Sequence, residues 1–342
     1  MKYTDIDFNN KTVVITGGAG FIGSNLAFYF QENYPEAKVI VFDKFRSEET
    51  FSNGNLKSFG HFKNLLGFKG IIISGDITNK DDLQRLEEYD IDFIFHEAAI
   101  SDTTVADQKI MIDTNVNAFK DLCDLAVKKN AAMIYASSAA TYGSSDKFSV
   151  GFEKPNNVYG FSKLMMDNLA KEYYDKLKIV GLRYFNVYGP REYYKNKTAS
   201  MVLQFGLQLL KGESAKLFEG SDEIKRDFIF VEDVIQANIK ACEALKNGVY
   251  NVGTGTSRSF QEIVDILKKE LNITREDTYI PNPYIGQYQF FTEADIEDTI
   301  KYLGYKPGFS LEDGIKAYLQ EIIRIYEEEY GKGEGRRMKG EG

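Results

Sequence analysis

Short apolar runs alternate with stretches of helical periodicity through the first half of the chain. The apolar runs predict buried strands at Thr12–Thr16, Lys38–Phe42, Ile71–Ser74, Phe93–Phe95, Met133–Ala136 and Ile179–Arg183. The helical pattern predicts helices at Phe21–Asn33, Thr104–Lys128 and Val158–Leu177. Because strands that alternate with helices are typical of βαβ units, we expect an α/β fold with a parallel sheet.

The pattern becomes less regular after Gly189-Pro190. The elements predicted there are a helix at Ala199–Lys211, a short strand at Lys216–Phe218, strands that return to the sheet at Phe228–Val231 and Val249–Val252, and helices at Phe260–Glu270 and Leu311–Glu328. These elements indicate a second, smaller lobe.

Composition and charge narrow the possible functions. Of the 342 residues, 43% are hydrophobic and 27% are charged, which is ordinary for a soluble globular protein. The net charge of −9 argues against nonspecific binding to nucleic acid or anionic membranes, so local donors must hold any anionic ligand. No apolar run approaches the roughly 20 residues that span a bilayer, and the N-terminus lacks a signal-peptide core. Cys123 and Cys242 are expected to be reduced, buried thiols of a cytoplasmic protein, and neither His61 nor His96 has a plausible metal partner.

A glycine-rich segment, TGGAGFIGS, joins the first predicted strand to the first predicted helix. Glycines in such a turn let the backbone approach a ligand closely, and the following helix offers free N–H groups to an anion. This context predicts a site for the pyrophosphate of a dinucleotide. The loop residues assigned to it are Gly17, Gly20, Phe21, Ile22 and Gly23.

The residues after the second strand bear on which dinucleotide is bound. Asp43 closes that strand, where a carboxylate can bond the adenosine ribose, and alone it favours NAD. Lys44 and Arg46 follow it and Lys57 is nearby, and such cations can hold a 2′-phosphate. We therefore expect NADP, with NAD as the alternative. The residues assigned to the cofactor after later strands are Asp76, Ile77, Glu97, Ala98 and Ala99.

The segment NVYGFSK places Tyr159 and Lys163 at positions i and i+4, on one face of a predicted helix. A phenol normally has a pKa of roughly 10. A fixed ammonium beside it favours the phenolate, so we expect Lys163 to lower the pKa of Tyr159 and make it a general base. Ser138, in YASSAATYG, lies at the end of a strand and is the candidate hydroxyl that bonds the substrate oxygen.

The glycine loop, the serine pair and Tyr-x-x-x-Lys, in this order, resemble the extended short-chain dehydrogenase/reductases, a family that modifies nucleotide sugars. The resemblance covers residues 11–325. It implies a Rossmann-type, doubly wound parallel sheet with a smaller C-terminal α/β lobe that binds the substrate. It assigns catalysis to Ser138, Tyr159 and Lys163, and it implies that Asn115, in DTNVNAFK, steadies the cofactor loop.

The resemblance also implies a division into domains. Residues 1–186, together with roughly 228–258, are expected to bind the dinucleotide, and roughly 187–227 with 259–328 to bind the nucleotide sugar. The glycine-rich, charged end, 331–342, is expected to be a disordered tail. The segment 46–70 is longer than the same segment in the shortest proteins that this sequence resembles. The residues before the first strand suggest no function.

Several stretches resemble the branch of this family that acts on ADP-linked heptoses: IFHEAAISDTT, YASSAATYG, RYFNVYGPRE, KLFEGSDEIKRDF and GQYQFFTEADI. The resemblance implies an epimerase that inverts C6 of the heptose by transient oxidation and re-reduction with a tightly bound nicotinamide cofactor. The heptose would serve a lipopolysaccharide core or a related glycan. We also expect a homo-oligomer.

In that branch a lysine beyond the GPRE segment supplies the second proton, which implies Lys195 here, with Lys197 as the alternative. The residues implied to contact the nucleotide sugar, or the nicotinamide beside it, are Asn186, Val187, Lys197, Phe218, Glu219, Gly220, Ser221, Arg226 and Tyr288. A UDP-sugar 4-epimerase or another nucleotide-sugar reductase is the nearest alternative, and a non-catalytic dinucleotide sensor is a further one. A 4,6-dehydratase is disfavoured because Ala139-Ala140-Thr141 supplies no carboxylate.

Overall fold

The structure, a computed structural model, describes residues 1–281 and 290–331. The strands within these ranges are β1 (Thr12–Thr16), β2 (Lys38–Asp43), β3 (Ile71–Ser74), β4 (Phe93–His96), β5 (Ala132–Ser138), β6 (Ile179–Tyr184), β7 (Asn186–Tyr188), β8 (Lys216–Phe218), β9 (Lys225–Phe230), β10 (Gly248–Val252), β11 (Ser257–Ser259) and β12 (Thr278–Ile280). The α-helices are α1 (Phe21–Asn33), α2 (Lys80–Gln84), α3 (Gln108–Ile112), α4 (Ala118–Lys129), α5 (Val158–Ala170), α6 (Met201–Leu210), α7 (Val231–Ala241), α8 (Phe260–Leu271), α9 (Glu297–Leu303) and α10 (Leu311–Glu329). Tyr288 and residues 332–342 of the predicted tail lie outside the described residues.

In the described part of the chain, seven strands form the main sheet, in the order β10-β6-β5-β4-β1-β2-β3. Every neighbouring pair runs parallel. The strand order reverses between β1 and β4, and in sheets of this kind a crevice opens at the carboxyl ends of the strands beside such a reversal. The fold therefore places the glycine loop after β1 next to the segment after β4.

Helices cover both faces of this sheet. On one face Phe30 of α1 and Ile235 of α7 join a buried core with β1, β5 and β6. On the other face Leu122 of α4 and Met166 of α5 form a second core. Both faces are apolar because parallel strands are buried on both sides. The predicted doubly wound α/β fold is confirmed.

One strand in the second half of the chain was predicted to join the wrong sheet. The run Phe228–Val231 was expected to return to the main sheet, but β9 ends at Phe230 and lies in a separate three-stranded sheet, in the order β11-β9-β7. Val231 begins α7, a helix that the apolar pattern did not predict. A short apolar run predicts a strand but does not determine which sheet the strand joins. The run Val249–Val252 does return to the main sheet, as β10.

Two long predicted helices are shorter or interrupted. The predicted helix Thr104–Lys128 begins later, at Gln108, because the side chain of Asp107 accepts from the N–H of Ile110 and caps α3. A π-helical turn at Asp113–Asn117 then separates α3 from α4. Such turns are rare and often occur at functional sites. The helix predicted at Val158–Leu177 ends as α5 at Ala170 and continues as a 3-10 turn.

The residues before β1 have a structural role that the pattern did not suggest. Phe8 is fully buried, and its ring lies 5.0 Å from Phe30, 5.1 Å from Tyr34 and 4.8 Å from Phe93 between centroids. These aromatic contacts pack the N-terminal segment against α1 and β4. No helix in the described part of the chain has both the length and the apolar composition needed to cross a membrane.

Candidate active site

A cleft of about 1140 Å³ lies at the carboxyl ends of the main strands, at the reversal of strand order. It brings together most of the residues assigned from the sequence: Gly17, Gly20, Phe21, Ile22, Gly23, Asp43, Lys44, Lys57, Asp76, Ile77, Glu97, Ala98, Ala99, Ser138, Tyr159, Lys163, Asn186, Val187, Lys195 and Arg226. The assigned residues that do not line it, among those the structure describes, are Asn115, Lys197, Phe218, Glu219, Gly220 and Ser221.

The glycine loop meets the geometric demands of a pyrophosphate site. Gly17 has a φ of +68°, and a Cβ there would lie 2.7 Å from the backbone nitrogen of Ala98. A Cβ on Gly23 would lie 2.3 Å from the carbonyl oxygen of Gly17. Gly20 precedes α1 and, as a glycine, has no side chain with which to cap it. The loop therefore packs as only glycines allow, and it presents a helix N-terminus to the cleft, which fits a dinucleotide phosphate.

The end of β2 carries Asp43, the carboxylate predicted to bind the adenosine ribose. Asp43 is 5% exposed, and its carboxylate accepts from the N–H of Ala19 at 2.9 Å and of Phe45 at 2.7 Å. Burial raises the pKa of Asp43, while these backbone donors lower it. Two of the three predicted cations have a carboxylate partner, since Lys44 pairs with Asp76 at 2.8 Å and Lys57 pairs with Glu49 at 3.2 Å. The third, Arg46, donates to the carbonyl oxygen of Tyr194.

Ser138, Tyr159 and Lys163 meet on the other side of the cleft. Ser138 ends β5, and its Oγ accepts from the N–H of Ala140 at 3.1 Å. Tyr159 lies in the first turn of α5, which Asn157 caps by accepting from the N–H of Gly160. Lys163 donates through Nζ to the carbonyl oxygen of Ala136 at 2.7 Å, and its Nζ lies 6.0 Å from the centre of the Tyr159 ring. The structure therefore brings together the three residues assigned to catalysis.

The expectation that Lys163 lowers the pKa of Tyr159 is wrong for this structure. Burial raises the pKa of Tyr159, a hydrogen bond with Ser138 lowers it, and the charge of Glu97 raises it. Burial also lowers the pKa of Lys163 to about 8, although the charges of Glu97 and Asp167 raise it. The spacing in the sequence predicted that the two side chains lie close together, but it did not predict that both are buried. Burial has the largest effect on the pKa of each.

Beneath this site lies a polar network that the sequence did not suggest. Asp167, one turn after Lys163, accepts from Tyr135 at 3.0 Å, from Ser137 at 3.0 Å, and from Nε and Nη2 of Arg183 at 2.9 and 2.8 Å. Both Asp167 and Arg183 are 1% exposed. A polar side chain on the buried face of α5, in line with Tyr159 and Lys163, was the signal that could have revealed the network.

Asn115 lies in the π-helical turn, fully buried behind the cleft. Its Oδ1 accepts from the N–H of Ile100 at 2.9 Å, and its Nδ2 donates to the carbonyl oxygen of Ile100 at 3.0 Å. Nδ2 also donates to Ser162 of α5 at 2.9 Å. Asn115 thus joins the loop after β4 to the helix that carries Tyr159. Its effect on a bound cofactor stays a prediction.

Lys195 and Lys197 lie in one 3-10 segment, Tyr193–Thr198, but in different surroundings. Lys195 lines the cleft, and burial lowers its pKa while the carboxylate of Glu192 raises it. Lys197 is exposed. Asn196, with φ +54° and ψ −123°, breaks the helical geometry between them. The geometry therefore favours Lys195 as the lysine that reaches a ligand in the cleft.

The residues assigned to the ADP portion of the substrate do not all lie in one pocket. Arg226 lines the main cleft and donates through Nη1 to the carbonyl oxygen of Lys225 at 2.8 Å. Glu219 and Gly220 instead line a small separate pocket near Tyr279. Phe218 and Ser221 line neither pocket. The role of these four residues in holding ADP stays a prediction, and Tyr288 lies outside the described residues.

A strap, residues 46–60, borders the cleft and was not predicted to do so as a unit. Phe51 packs with the apolar cluster around Tyr159. Asn53 and Asn55 donate to Oδ2 of Asp102 at 3.1 and 2.7 Å, and Asn53 also donates to Thr104 at 2.8 Å. The strap thus runs from the end of β2 to the loop after β4. The strap, which is part of the long segment 46–70, therefore forms one wall of the cleft.

Comparison with known proteins places the chain in a family. Residues 13–253 match the model of the NAD dependent epimerase/dehydratase family. A Helicobacter pylori ADP-L-glycero-D-manno-heptose-6-epimerase is 52% identical, with a TM-score of 0.88, over 95% of this chain and 100% of that one. A Thermotoga maritima UDP-glucose 4-epimerase, solved with UDP-glucose, is 27% identical with a TM-score of 0.81, over 92% and 99%.

A third structure, a Bacillus cereus UDP-glucuronic acid 4-epimerase in complex with UDP-glucuronic acid and NAD, is also 27% identical, with a TM-score of 0.78 over 92% of this chain and 100% of that one. The match to the family model covers more than half of the chain, and within it lie the glycine loop, Ser138, Tyr159 and Lys163. The chain belongs to the NAD dependent epimerase/dehydratase family.

Proposed function

We propose that this protein inverts C6 of ADP-D-glycero-D-manno-heptose and yields ADP-L-glycero-D-manno-heptose. The similarity to the Helicobacter pylori enzyme, over nearly the full length of both chains, supports this substrate. The observation that carries the proposal is that one cleft holds two proton-carrying side chains on separate elements, Tyr159 on α5 and Lys195 on the segment Tyr193–Thr198. Such a pair fits an inversion, because the intermediate ketone presents its other face to the returning hydride, and a second group can then give a proton to its oxygen.

A nicotinamide cofactor, when bound, accepts hydride from the sugar and gives it back. The side chains of this protein bind the sugar and transfer the protons. Ser138 and Tyr159 hold the C6 hydroxyl, and Tyr159 takes its proton. Lys163 contributes its positive charge beside the phenol, and Lys195 donates the proton when the opposite face of the carbon is reduced. Because oxidation and reduction cancel, the reaction needs no exchange of cofactor.

The cofactor we propose is NADP. Lys44 and Lys57 line the cleft on the side of Asp43, where cations can bind a 2′-phosphate. NAD is the alternative, because the related Bacillus cereus enzyme was solved with NAD and both lysines here already pair with carboxylates. We place the enzyme in the cytoplasm as a homo-oligomer, and its product in the synthesis of a lipopolysaccharide core or related glycan.

Incubation with ADP-D-glycero-D-manno-heptose should produce the C6 epimer, detected by NMR of the sugar protons. UDP-glucose serves as the control substrate and should not turn over, because the proposal ties the site to an ADP-heptose. Turnover of UDP-glucose without inversion of the heptose would instead identify a UDP-sugar 4-epimerase. Net oxidation of either sugar, with accumulation of reduced cofactor, would identify a dehydrogenase.

Replacement Tyr159→Phe should lower the rate of inversion by about 10²- to 10⁴-fold, since it removes the phenolic oxygen that exchanges the proton. The cofactor should still copurify, and its mass after denaturation distinguishes NADP from NAD. Tyr89→Phe, which removes a hydroxyl from a residue that does not line the cleft, is the matched control and should retain activity. Full activity of the Tyr159 variant would contradict the assigned base.

Replacement Lys195→Met should reduce inversion by about 10²-fold or more, because it removes the cleft-lining ammonium that donates the second proton. Lys197→Met changes the same side chain at an exposed position of the same segment and should cause a much smaller loss. Initial rates of the two variants at saturating substrate decide between them. A larger loss in the Lys197 variant would move the role to that residue.

A further inference from the structure

The strap, residues 46–60, crosses the main sheet at the place where the glycine loop lies. In that sheet β1 stands between β2 and β4. The strap begins shortly after β2, and its side chains bond to Asp102, in the loop after β4. Since neighbouring strands lie about 4.8 Å apart, these two attachments are about 10 Å apart, on either side of β1. The glycine loop follows β1, so the strap passes over it.

Both the strap and the glycine loop line the cleft. Phe51 and Leu56 contribute from the strap, and Gly17 and Gly20 contribute from the loop. The space between them is therefore part of the site that fits a dinucleotide phosphate. A dinucleotide held by the glycine loop would have the strap on its outer side.

The strap is internally bonded rather than an open loop. At its base the N–H of Arg46 donates to the carbonyl oxygen of Gly60 at 2.7 Å. Nearer its tip the N–H of Lys57 donates to the carbonyl oxygen of Glu49 at 2.9 Å, beside an antiparallel bridge. Such a unit keeps its own shape, so the contacts of its tip with the rest of the chain decide whether it stays closed.

Asp102 holds the tip of the strap. It is 4% exposed, and its Oδ1 accepts from the N–H and the hydroxyl of Thr104 at 2.8 and 2.7 Å. Its Oδ2 accepts from Asn55 at 2.7 Å and from Asn53 at 3.1 Å. Burial raises the pKa of Asp102, but the hydrogen bonds from Thr104, Asn55 and Asn53 lower it overall. The acceptor is thus a charged carboxylate, and hydrogen bonds to a charged group are roughly twice as strong as neutral ones.

We propose that Asp102, Asn53 and Asn55 form a latch that keeps the strap closed over the dinucleotide site and slows exchange of the cofactor. This inference rests on the proposed function only in taking the cleft as the site of a nicotinamide dinucleotide. Neither asparagine lines the cleft, so both act on the cofactor through the strap. A latch of this kind suits an inversion, because oxidation and reduction cancel and the cofactor need not leave between turnovers.

Exchange of the bound cofactor tests the latch. The protein is loaded with whichever of NADP and NAD binds more tightly, then mixed with an excess of the same cofactor carrying an isotope label, and the bound fraction is analysed by mass spectrometry. Asp102→Asn keeps an oxygen for Thr104 but turns an amide toward the two asparagines. Exchange should become about tenfold faster or more, because hydrogen bonds to a charged acceptor are lost. Asn55→Asp sets two carboxylates against each other and should act in the same way.

A double variant distinguishes the latch from a general weakening of the loop. Asn55→Asp combined with Asp102→Asn exchanges the acid and the amide, so the amide at position 102 can donate to the carboxylate at position 55. Exchange should return most of the way to the rate of the unchanged protein. Asp90→Asn makes the same change at an exposed position that does not line the cleft, and should leave the rate unaltered. An unaltered rate in both single variants, or no recovery in the double variant, would overturn the proposal.

The rate of association provides a second readout. The latch joins residues of the chain alone, so opening it should speed entry of the cofactor as well as exit. In Asn55→Asp the Kd of the cofactor should therefore change less than its dissociation rate. An unchanged association rate, with the Kd rising as much as the dissociation rate, would mean that these residues only stabilise the bound state, and would contradict a latch.

These measurements need no sugar. A protein that binds a dinucleotide but does not invert the heptose refutes the proposed function and leaves the test of the latch intact. A protein that binds neither NADP nor NAD would overturn both.

Discussion

The buried ion pair between Asp167 and Arg183 fixes the position of the side chains that we propose to be catalytic. It joins α5 to β6, while Tyr135 and Ser137 join the same carboxylate to β5. Arg183 also pairs with Glu153 at 2.6 Å. Buried ion pairs contribute little net stability, but removal of Arg183 would leave the charge of Asp167 uncompensated in the core. The helix therefore cannot rotate or slide without breaking the pair. Tyr159 and Lys163, on the same face two turns and one turn earlier, are fixed at the edge of the cleft.

The same burial that fixes these side chains also sets their protonation. Desolvation disfavours both the phenolate of Tyr159 and the ammonium of Lys163, so burial raises the pKa of the tyrosine and lowers the pKa of the lysine. Ser138 favours the phenolate through a hydrogen bond, and Glu97 favours the ammonium through its charge. The protonation of this proposed catalytic pair is thus the outcome of opposing effects, from burial, from Ser138 at the end of β5 and from Glu97 after β4.

The sequence predicted the parts of this arrangement that depend on local pattern. Apolar runs located β1 to β6, and the spacing of the glycines and of Tyr159 and Lys163 located the cleft. It did not predict that β9 would leave the main sheet, because a short apolar run is the same in either sheet. It also gave the wrong direction for the pKa of Tyr159, since spacing along a helix fixes proximity but says nothing of burial. The Asp167–Arg183 pair joins residues of two elements, and only the assembled fold brings them together.

The central claim is that a tyrosine and a lysine, held by this anchored helix, pass protons while hydrogen leaves C6 of a nucleotide sugar and returns to the same carbon. Epimerisation of ADP-D-glycero-D-manno-heptose in D₂O tests it most directly, with the product analysed by NMR and mass spectrometry. The account predicts an inverted C6 that retains its original hydrogen, because the transferred hydride does not exchange with solvent. Deuterium at C6 of the inverted product would show removal and return of a proton at carbon, and would contradict the account.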